Sequence, residues 1–239
     1  MIPRAAGAYH FADLLENGAN KWRSENEWPP ASSHFTKYYL HSHGHANKRD
    51  GNDTLNAEAP CDEPCDEFRY DPKNPVPTVG EGAQDQAEVE RRADVLVYST
   101  SPLKAGLELT GPLEVVLFVG SSARDTDFTA KLVDVYPDGT AFNLQDGILR
   151  ARYRDGFSKK AWMKTGEVYS LKIDLHATSN YFPAGHRIRL EVSSSNFPRF
   201  DRNMNTAGNN FDESEGVVAE NTVCHSRDRA SYILLPVVH

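Results

Sequence analysis

The sequence predicts an all-β fold, a jelly-roll β-sandwich, on three observations. Strand-like runs recur from residue 94 onward, turn signals separate them, and helical periodicity is nearly absent after residue 20. Short strands joined by turns, in one chain without internal repeats, are typical of β-sandwiches.

Residues 1–93 form an irregular part, rich in Pro, Gly, Asn and His, with few sustained patterns. Two stretches there, "WRSENEWPP" and "FRYDPKNPVPTVG", are aromatic and interrupted by proline, which favours extended backbone. Such segments wrap a sandwich edge more often than they fold alone. We expect residues 1–239 to be one β-sandwich domain, with 1–93 as extended segments wrapping it and 94–239 supplying the main strands.

Three runs of the second part are predicted strands with different surroundings. "LEVVLFV" is continuously apolar, which indicates a strand buried on both faces. "DFTAKLVDVYPDGTAFNL" contains Pro137, Asp138 and Gly139 after its β-rich start, and these residues predict a turn because proline presets φ and glycine permits a positive φ. "SYILLPVVH" predicts a last short strand.

Two further runs alternate clearly and predict strands with one apolar face. In "EVYSLKIDLHAT" the inward residues are Tyr169, Leu171, Ile173 and Leu175, and the outward ones are Ser170, Lys172, Asp174 and His176. In "GHRIRLEVSSS" the inward residues are Ile188, Leu190 and Val192, and the outward ones are Arg187, Arg189 and Glu191.

Composition limits the function classes. The chain has 239 residues, 39% of them hydrophobic and 25% charged, which is enough for a packed core. The net charge of −8 and the lack of a basic stripe argue against a nucleic-acid partner. No apolar run approaches the roughly 18 residues of a membrane span, and the N-terminus lacks the apolar core of a signal peptide. We expect no membrane partner and a cytoplasmic location.

Two clusters of metal-ligating residue types need an interpretation. His41, His43 and His45 would share one face of a strand and could present ligands to zinc or copper, but Gly44 weakens a strand there and a solvated loop is the favoured interpretation. Cysteines 61, 65 and 224 form neither a zinc-type spacing nor a disulfide framework, so we expect a loop with free thiols. No cofactor is expected.

The polar stretch "SSSNFPRFDRNMNTAGNN" begins at Ser193 and follows a predicted strand. No Gly-x-Ser-x-Gly elbow occurs in the chain, so its serines are interpreted as a polar strand end, not as nucleophiles. Asp201, Asn203, Asn205 and Asp212 have a spacing similar to a calcium loop, but the sixth position lacks the required glycine. We expect Asn and Asp side chains to cap turns instead, with Arg199 and Arg202 pairing to Asp201 or to neighbouring carbonyls.

Several long stretches resemble one protein family. "DTDFTAKLVDVYPDGTAFNLQDGILRARYR", "GHRIRLEVSSSNFPRFDRN" and the pair "NEWPP" and "FRYDPKNPVPTVG" are similar, in order and spacing, to the C-terminal domain of a serine-hydrolase family. That family includes X-Pro dipeptidyl-peptidases, cocaine esterase, α-amino-acid ester hydrolases and glutaryl acylases. The resemblance covers residues 22–239 and implies a jelly-roll, galactose-binding-like β-sandwich.

The chain also departs from the family pattern. Family members carry a Ser-Asp-His triad on a preceding α/β-hydrolase domain, and no part of this sequence matches that domain, so no catalytic residue can be assigned. The motif "GANKWR" matches a family turn, but "AYHFADLLENG" before it is a poor strand. We expect a chain that is inactive alone, from a shortened or split reading frame.

The resemblance implies a non-catalytic domain that supports a hydrolase domain and its substrate cleft. The polar corner after the strand is the expected structural or interface motif, with residues Ser194, Asn196, Arg199, Asp201, Arg202 and Asn203. The alternative is a free-standing carbohydrate- or ligand-binding module using Trp22, Trp28 or Trp162, although packing in the interior is the favoured role of each tryptophan. A third interpretation is a metal enzyme that uses His41, His43 and His45. An exposed apolar patch would also permit homo-oligomers.

Overall fold

Strands dominate the residues that the computed structural model describes, which are 12–16, 18–47 and 53–238. The helical segments among them are two single 3₁₀ turns, Val89–Arg91 and Ala151–Tyr153. This confirms the predicted all-β fold. The strands are β1 (Ala12–Glu16), β2 (Lys21–Glu25), β3 (Ser33–His41), β4 (Thr54–Asn56), β5 (Asp66–Tyr70), β6 (Leu96–Ser99), β7 (Leu107–Ser121), β8 (Asp127–Val135), β9 (Ala141–Arg150), β10 (Tyr169–Phe182), β11 (Arg187–Ser193), β12 (Ala219–Ser226), β13 (Arg229–Ala230) and β14 (Tyr232–Val238).

All strands except the β1–β2 hairpin belong to one connected sheet that folds around a common core. Its order is β13-β12-β7-β14-β3-β4-β6-β11-β8-β9, with β10 paired to β7 and β5 paired to β12. Leu117 and Ile173, from β7 and β10, belong to the same buried cluster as Leu132 and Leu190, from β8 and β11. The two parts of the sheet therefore face each other across the core, as in a β-sandwich.

The burial of β10 follows the predicted alternation of apolar and polar residues. Leu171, Ile173 and Leu175 are fully buried, whereas Lys172 and Asp174 on the opposite face are exposed. The predicted turn is also confirmed between β8 and β9, where Gly139 has φ +90° and the Asp138 carboxylate accepts the backbone N–H of Thr140. A positive φ there explains why glycine occupies the position.

The prediction that Arg189 and Glu191 of β11 point to solvent is wrong. Both are buried, at 8% and 2% exposure, because the segment 76–95 covers that face of the sheet. The covering segment brings Glu90 to within 2.6 Å of the Arg189 guanidinium. Sequence alternation identified the two faces of the strand correctly, but it gave no sign of a second layer over the charged one.

The N-terminal part supplies strands to the sheet as well as extended segments. β3 pairs with β14 and β5 pairs with β12, both antiparallel. The prediction of a poor strand before the "GANKWR" turn is wrong for residues 12–16, which pair with β2. Residues 8–11 and 17 of that stretch lie outside the described part. None of the helical segments described is long or apolar enough to cross a membrane.

Candidate functional site

The serines that follow β11 are structural. The Oγ of Ser194 accepts a hydrogen bond from the Asn221 side-chain amide at 2.8 Å, and the Oγ of Ser195 accepts the backbone N–H of Val76 at 2.8 Å. Both serines are almost fully buried. Each hydroxyl is therefore used to join β11 to another element, which agrees with their interpretation as a polar strand end.

The corner loop, residues 194–218 between β11 and β12, begins with a bonded trio. Asp146 of β9 accepts the Asn196 amide and the Arg199 guanidinium, both at 2.8 Å. The Thr78 hydroxyl donates to the Asn196 side-chain oxygen at 2.9 Å, which ties the trio to the covering segment. Asp146 and Asn196 are buried, but the Arg199 side chain is 54% exposed. The Arg199 guanidinium is thus held by buried residues while it faces solvent.

The middle of the corner loop is anchored by Asn203, which is fully buried. Its amide donates to Asp125 at 2.8 Å and to Asp127 at 2.7 Å. Arg150 binds Asp127 through two hydrogen bonds, of 2.9 and 3.0 Å, and Arg152 lies 2.8 Å from Asp125. Burial raises the pKa of Asp127, and the hydrogen bonds and charge of Arg150 oppose that rise. A buried polar network of this kind is stable only when its members are bonded to one another.

Of the two arginines of the corner, Arg202 binds a carbonyl as predicted, whereas Arg199 pairs with a carboxylate other than Asp201. Arg199 binds Asp146, and Arg202 donates to the carbonyl of Pro72 at 3.0 Å. Asp201 is exposed. The calcium-like spacing forms no oxygen cage, because the Asn203 amide faces two carboxylates and its side-chain oxygen accepts the backbone N–H of Asn205.

A groove of about 1140 Å³ opens beside this corner. We call it the corner groove, and its lining includes Thr78, Tyr136, Phe142, Asp146, Asn180 and Arg199. Tyr136 is 41% exposed and meets the Phe142 ring edge-on at 5.3 Å. The Nδ2 of Asn180 is buried and has no hydrogen-bond partner within the described part of the chain. The groove therefore offers aromatic surface and an exposed cation, while the Asn180 amide is buried in its wall.

A buried charge network lies behind the groove wall. Lys131, which lines the groove, donates to Gln86 at 3.0 Å and lies 3.5 Å from Glu191. Burial raises the pKa of Glu191 to about 7, against the opposing charge of Lys131. Sequence reasoning missed these residues, although charged side chains inside apolar strands were a usable signal.

The three histidines do not come together as a metal site. β3 ends at His41, so His43 and His45 lie in an exposed turn and not on one strand face. His41 is hydrogen-bonded through both ring nitrogens, to the Glu63 carboxylate at 2.8 Å and to the Glu58 carbonyl at 3.0 Å. Both ring nitrogens of His41 are thus already engaged with residues outside the histidine cluster. The described residues contain no group of three or more side chains arranged to hold a metal ion.

The prediction of free thiols is wrong for two of the three cysteines. Cys65 and Cys224 form a disulfide between β5 and β12 across a sequence separation of 159, and Cys61 is free and exposed. The two sulfurs meet because β5 pairs with β12 in a register that places Asp66 opposite Val223. Cysteine spacing along the chain carries no information on that pairing.

The tryptophans proposed for ligand binding lie in different surroundings. Trp22 is 70% exposed on the β1–β2 hairpin, contrary to the expected interior packing. Trp162 is half-buried under the guanidinium groups of Arg124 and Arg152, at 5.7 and 5.3 Å from its ring centre. Neither Trp22 nor Trp162 lines the corner groove.

Comparison with known proteins gives one family. Residues 12–234 match the family described as the X-Pro dipeptidyl-peptidase C-terminal non-catalytic domain. Cocaine esterase of Rhodococcus sp. (strain MB1 Bresler) is 44% identical over 236 residues, which are 94% of this chain and 41% of that protein. The chain thus spans about two-fifths of the length of the curated relatives it matches.

Solved structures agree with the sequence relatives. An α-amino-acid ester hydrolase has a TM-score of 0.87 at 28% identity, over 98% of this chain and 42% of that one. An aminopeptidase from a marine sediment Thaumarchaeota archaeon has a TM-score of 0.85 at 29% identity, over 95% and 40%.

Proposed function

The chain belongs to the family of X-Pro dipeptidyl-peptidase C-terminal non-catalytic domains, and we propose that it packs against an α/β-hydrolase domain through the corner groove and helps to shape the substrate cleft. Its relatives with hydrolase names are more than twice its length, which supports a larger hydrolase as its context.

The observation that carries the proposal is the exposed Arg199 side chain, which buried residues hold in place. Asp146 and Asn196 fix its position, while more than half of the guanidinium side chain faces outward. An arginine held in this way presents directional donors to a carboxylate or carbonyl of a docking surface at little entropic cost. Arg202 lies beside the groove in the same corner loop, where its guanidinium donates to the carbonyl of Pro72 and lies 5.8 Å from the ring centre of the exposed Phe197.

The aromatic lining of the corner groove gives independent support. Tyr136 is 41% exposed, and its ring packs edge-on against Phe142 at 5.3 Å. Interfaces of this type combine a buried aromatic centre with hydrogen bonds at the rim, and Tyr136 with Arg199 provides both.

The test is binding between this chain and the part of Rhodococcus cocaine esterase outside the matched segment. Isothermal titration should give a one-to-one complex, and Arg199→Ala together with Arg202→Ala should weaken it at least tenfold without changing the fold. Arg229→Glu, at an exposed position of β13 that does not line the groove, is the control and should bind as well as the unaltered chain. Unchanged binding by the double variant would refute the assignment of the corner as the interface.

A second candidate function is favoured by the lining of the same groove. Amide side chains and the Tyr136 ring suit a polyhydroxyl ligand such as an oligosaccharide, because amides hydrogen-bond hydroxyls and aromatic rings pack on sugar C–H faces. Glycan-array binding that Tyr136→Ala abolishes would support this function. Binding of the hydrolase part without any glycan binding would support docking instead.

A cytoplasmic location stays a prediction. The Cys65–Cys224 disulfide counts against it, because cytoplasmic thiols are usually kept reduced. Mass spectrometry after rapid alkylation in cells would show whether the two cysteines are oxidised where the chain resides.

A further inference from the structure

Two adjoining loops of the sandwich carry opposite charges and one exposed phenylalanine each. The basic tip is residues 154–160, between β9 and β10, and the acidic tip is residues 208–215, within the corner loop. Arg152, next to the basic tip, donates to the carbonyl of Gly208 at 3.1 Å. The two tips therefore lie side by side on one surface. Neither contributes to the corner groove.

The basic tip presents Phe157 between cationic side chains. Phe157 is 83% exposed, and it follows Gly156, whose φ of +109° turns the chain there. Its ring contacts Tyr153 at 5.7 Å between centres. Lys159 and Lys160 are exposed, and neither forms an ion pair within the described part of the chain. An exposed aromatic ring between cationic side chains can serve as an anchor for a surface of opposite charge.

The acidic tip carries the opposite charge to the basic tip. Phe211 is also 83% exposed, and it is followed by Asp212, Glu213 and Glu215 without a cationic residue in the tip. Residues outside the tip hold its shape, since Glu213 accepts the Thr206 hydroxyl at 2.6 Å and Glu215 pairs with Lys73 at 2.6 Å. The acidic tip is thus a formed surface that needs little ordering on contact.

We propose that the two tips form a self-complementary surface through which two copies of this chain pair about a two-fold axis. The basic tip of one copy faces the acidic tip of the other, and the reverse contact occurs at the same time. A two-fold interface requires both complementary elements on one surface, which the Arg152–Gly208 hydrogen bond provides. The net charge of −8 makes copies repel at long range, so pairing depends on this local match.

The phenylalanines are the anchors of the contact. Aromatic residues at the centre of an interface supply much of its binding energy, and charged residues around them set the register. Phe157 and Phe211 have this arrangement, with lysines near one and carboxylates near the other. The surface is separate from the corner groove, so the pairing does not depend on the proposed hydrolase docking.

Sedimentation equilibrium of the full chain, from micromolar to near-millimolar concentration, tests the proposal. The unaltered chain should dimerise, and Phe157→Ser should raise the dissociation constant about tenfold or more. Lys104→Glu is the control for a single change of charge and should leave dimerisation unchanged.

A charge swap makes the test specific. One variant carries Lys159→Glu with Lys160→Glu, and the other carries Asp212→Lys with Ser214→Lys, which leaves the Lys73–Glu215 pair intact. Each alone should be monomeric, because like charges then face each other in both halves of the contact, while an equimolar mixture should restore the dimer. A chain that stays monomeric at every concentration, or a mixture that fails to pair, would overturn the proposal. Loss of hydrolase binding by Phe157→Ser in a monomeric chain would assign the surface to that partner and would also overturn it.

Discussion

Removal of the Cys65–Cys224 disulfide should cost a large part of the stability of the domain. The bond closes a loop of 159 residues, for which the chain-entropy relation gives about 5 kcal/mol as an upper value and about 3–5 kcal/mol as the expected loss. Cys224 is 2% exposed, so the bond lies within the packed sandwich. Since small domains are stable by only about 5–15 kcal/mol, the loss should be readily measured.

The variant to compare is Cys65→Ala with Cys224→Ala, followed by urea denaturation with tryptophan fluorescence. Its midpoint should fall sharply and should no longer respond to a reducing agent, whereas the unaltered chain should fall to a similar midpoint when reduced. Cys61→Ala should change stability by less than about 0.5 kcal/mol, because that thiol is exposed and unbonded. A loss below about 1 kcal/mol in the double variant would refute the argument from loop closure.

Three further predictions concern the interior of the sandwich. Asn203→Ala should destabilise the chain by about 3 kcal/mol or more, because two buried carboxylates lose a donor; Asn209→Ala, an exposed neighbour, should cost less than about 0.5 kcal/mol in the same urea assay. Glu191 has a folded-state pKa raised from 4.5 to about 7, so the folded chain holds a proton that the unfolded chain has released, and stability should fall as pH rises through this window by up to about 1.4 kcal/mol per pH unit. Glu191→Gln should flatten that fall in pH-dependent urea midpoints, and an unchanged slope would contradict the assignment. Gly147→Ala should cost about 2 kcal/mol or more in thermal unfolding, because the new Cβ would lie 2.2 Å from the carbonyl oxygen of Asp174; a variant as stable as the parent would show that β9 and β10 separate easily.

Strand periodicity predicted much of the fold because each strand buries one apolar face. The residues of β10 alternate in burial as their sequence does, and the turn at Gly139 follows from proline and glycine chemistry. Periodicity failed at Arg189 and Glu191, where a second layer covers the polar face. That layer comes from residues 76–95, whose irregular sequence carries no period that would indicate what they cover.

The candidate site was less predictable than the fold. The polar stretch after β11 drew attention to Asn196, Arg199 and Asn203, but their partners come from other strands. Asp146 and Asn180 lie far away in sequence and approach only through strand pairing, so no local pattern could connect them to the corner. The same holds for the disulfide, which depends on the register of β5 and β12.

The central claim is that this chain is non-catalytic and supports a separate hydrolase domain. Its most direct test is an activity assay of the two parts, alone and mixed. The purified chain, the part of Rhodococcus cocaine esterase outside the matched segment, and their mixture would each be assayed with p-nitrophenyl esters and labelled with a fluorophosphonate. We expect no turnover and no label on this chain alone, and a labelled serine with higher turnover in the hydrolase part when the chain is added. A labelled serine in this chain, or a hydrolase part indifferent to its presence, would contradict the account.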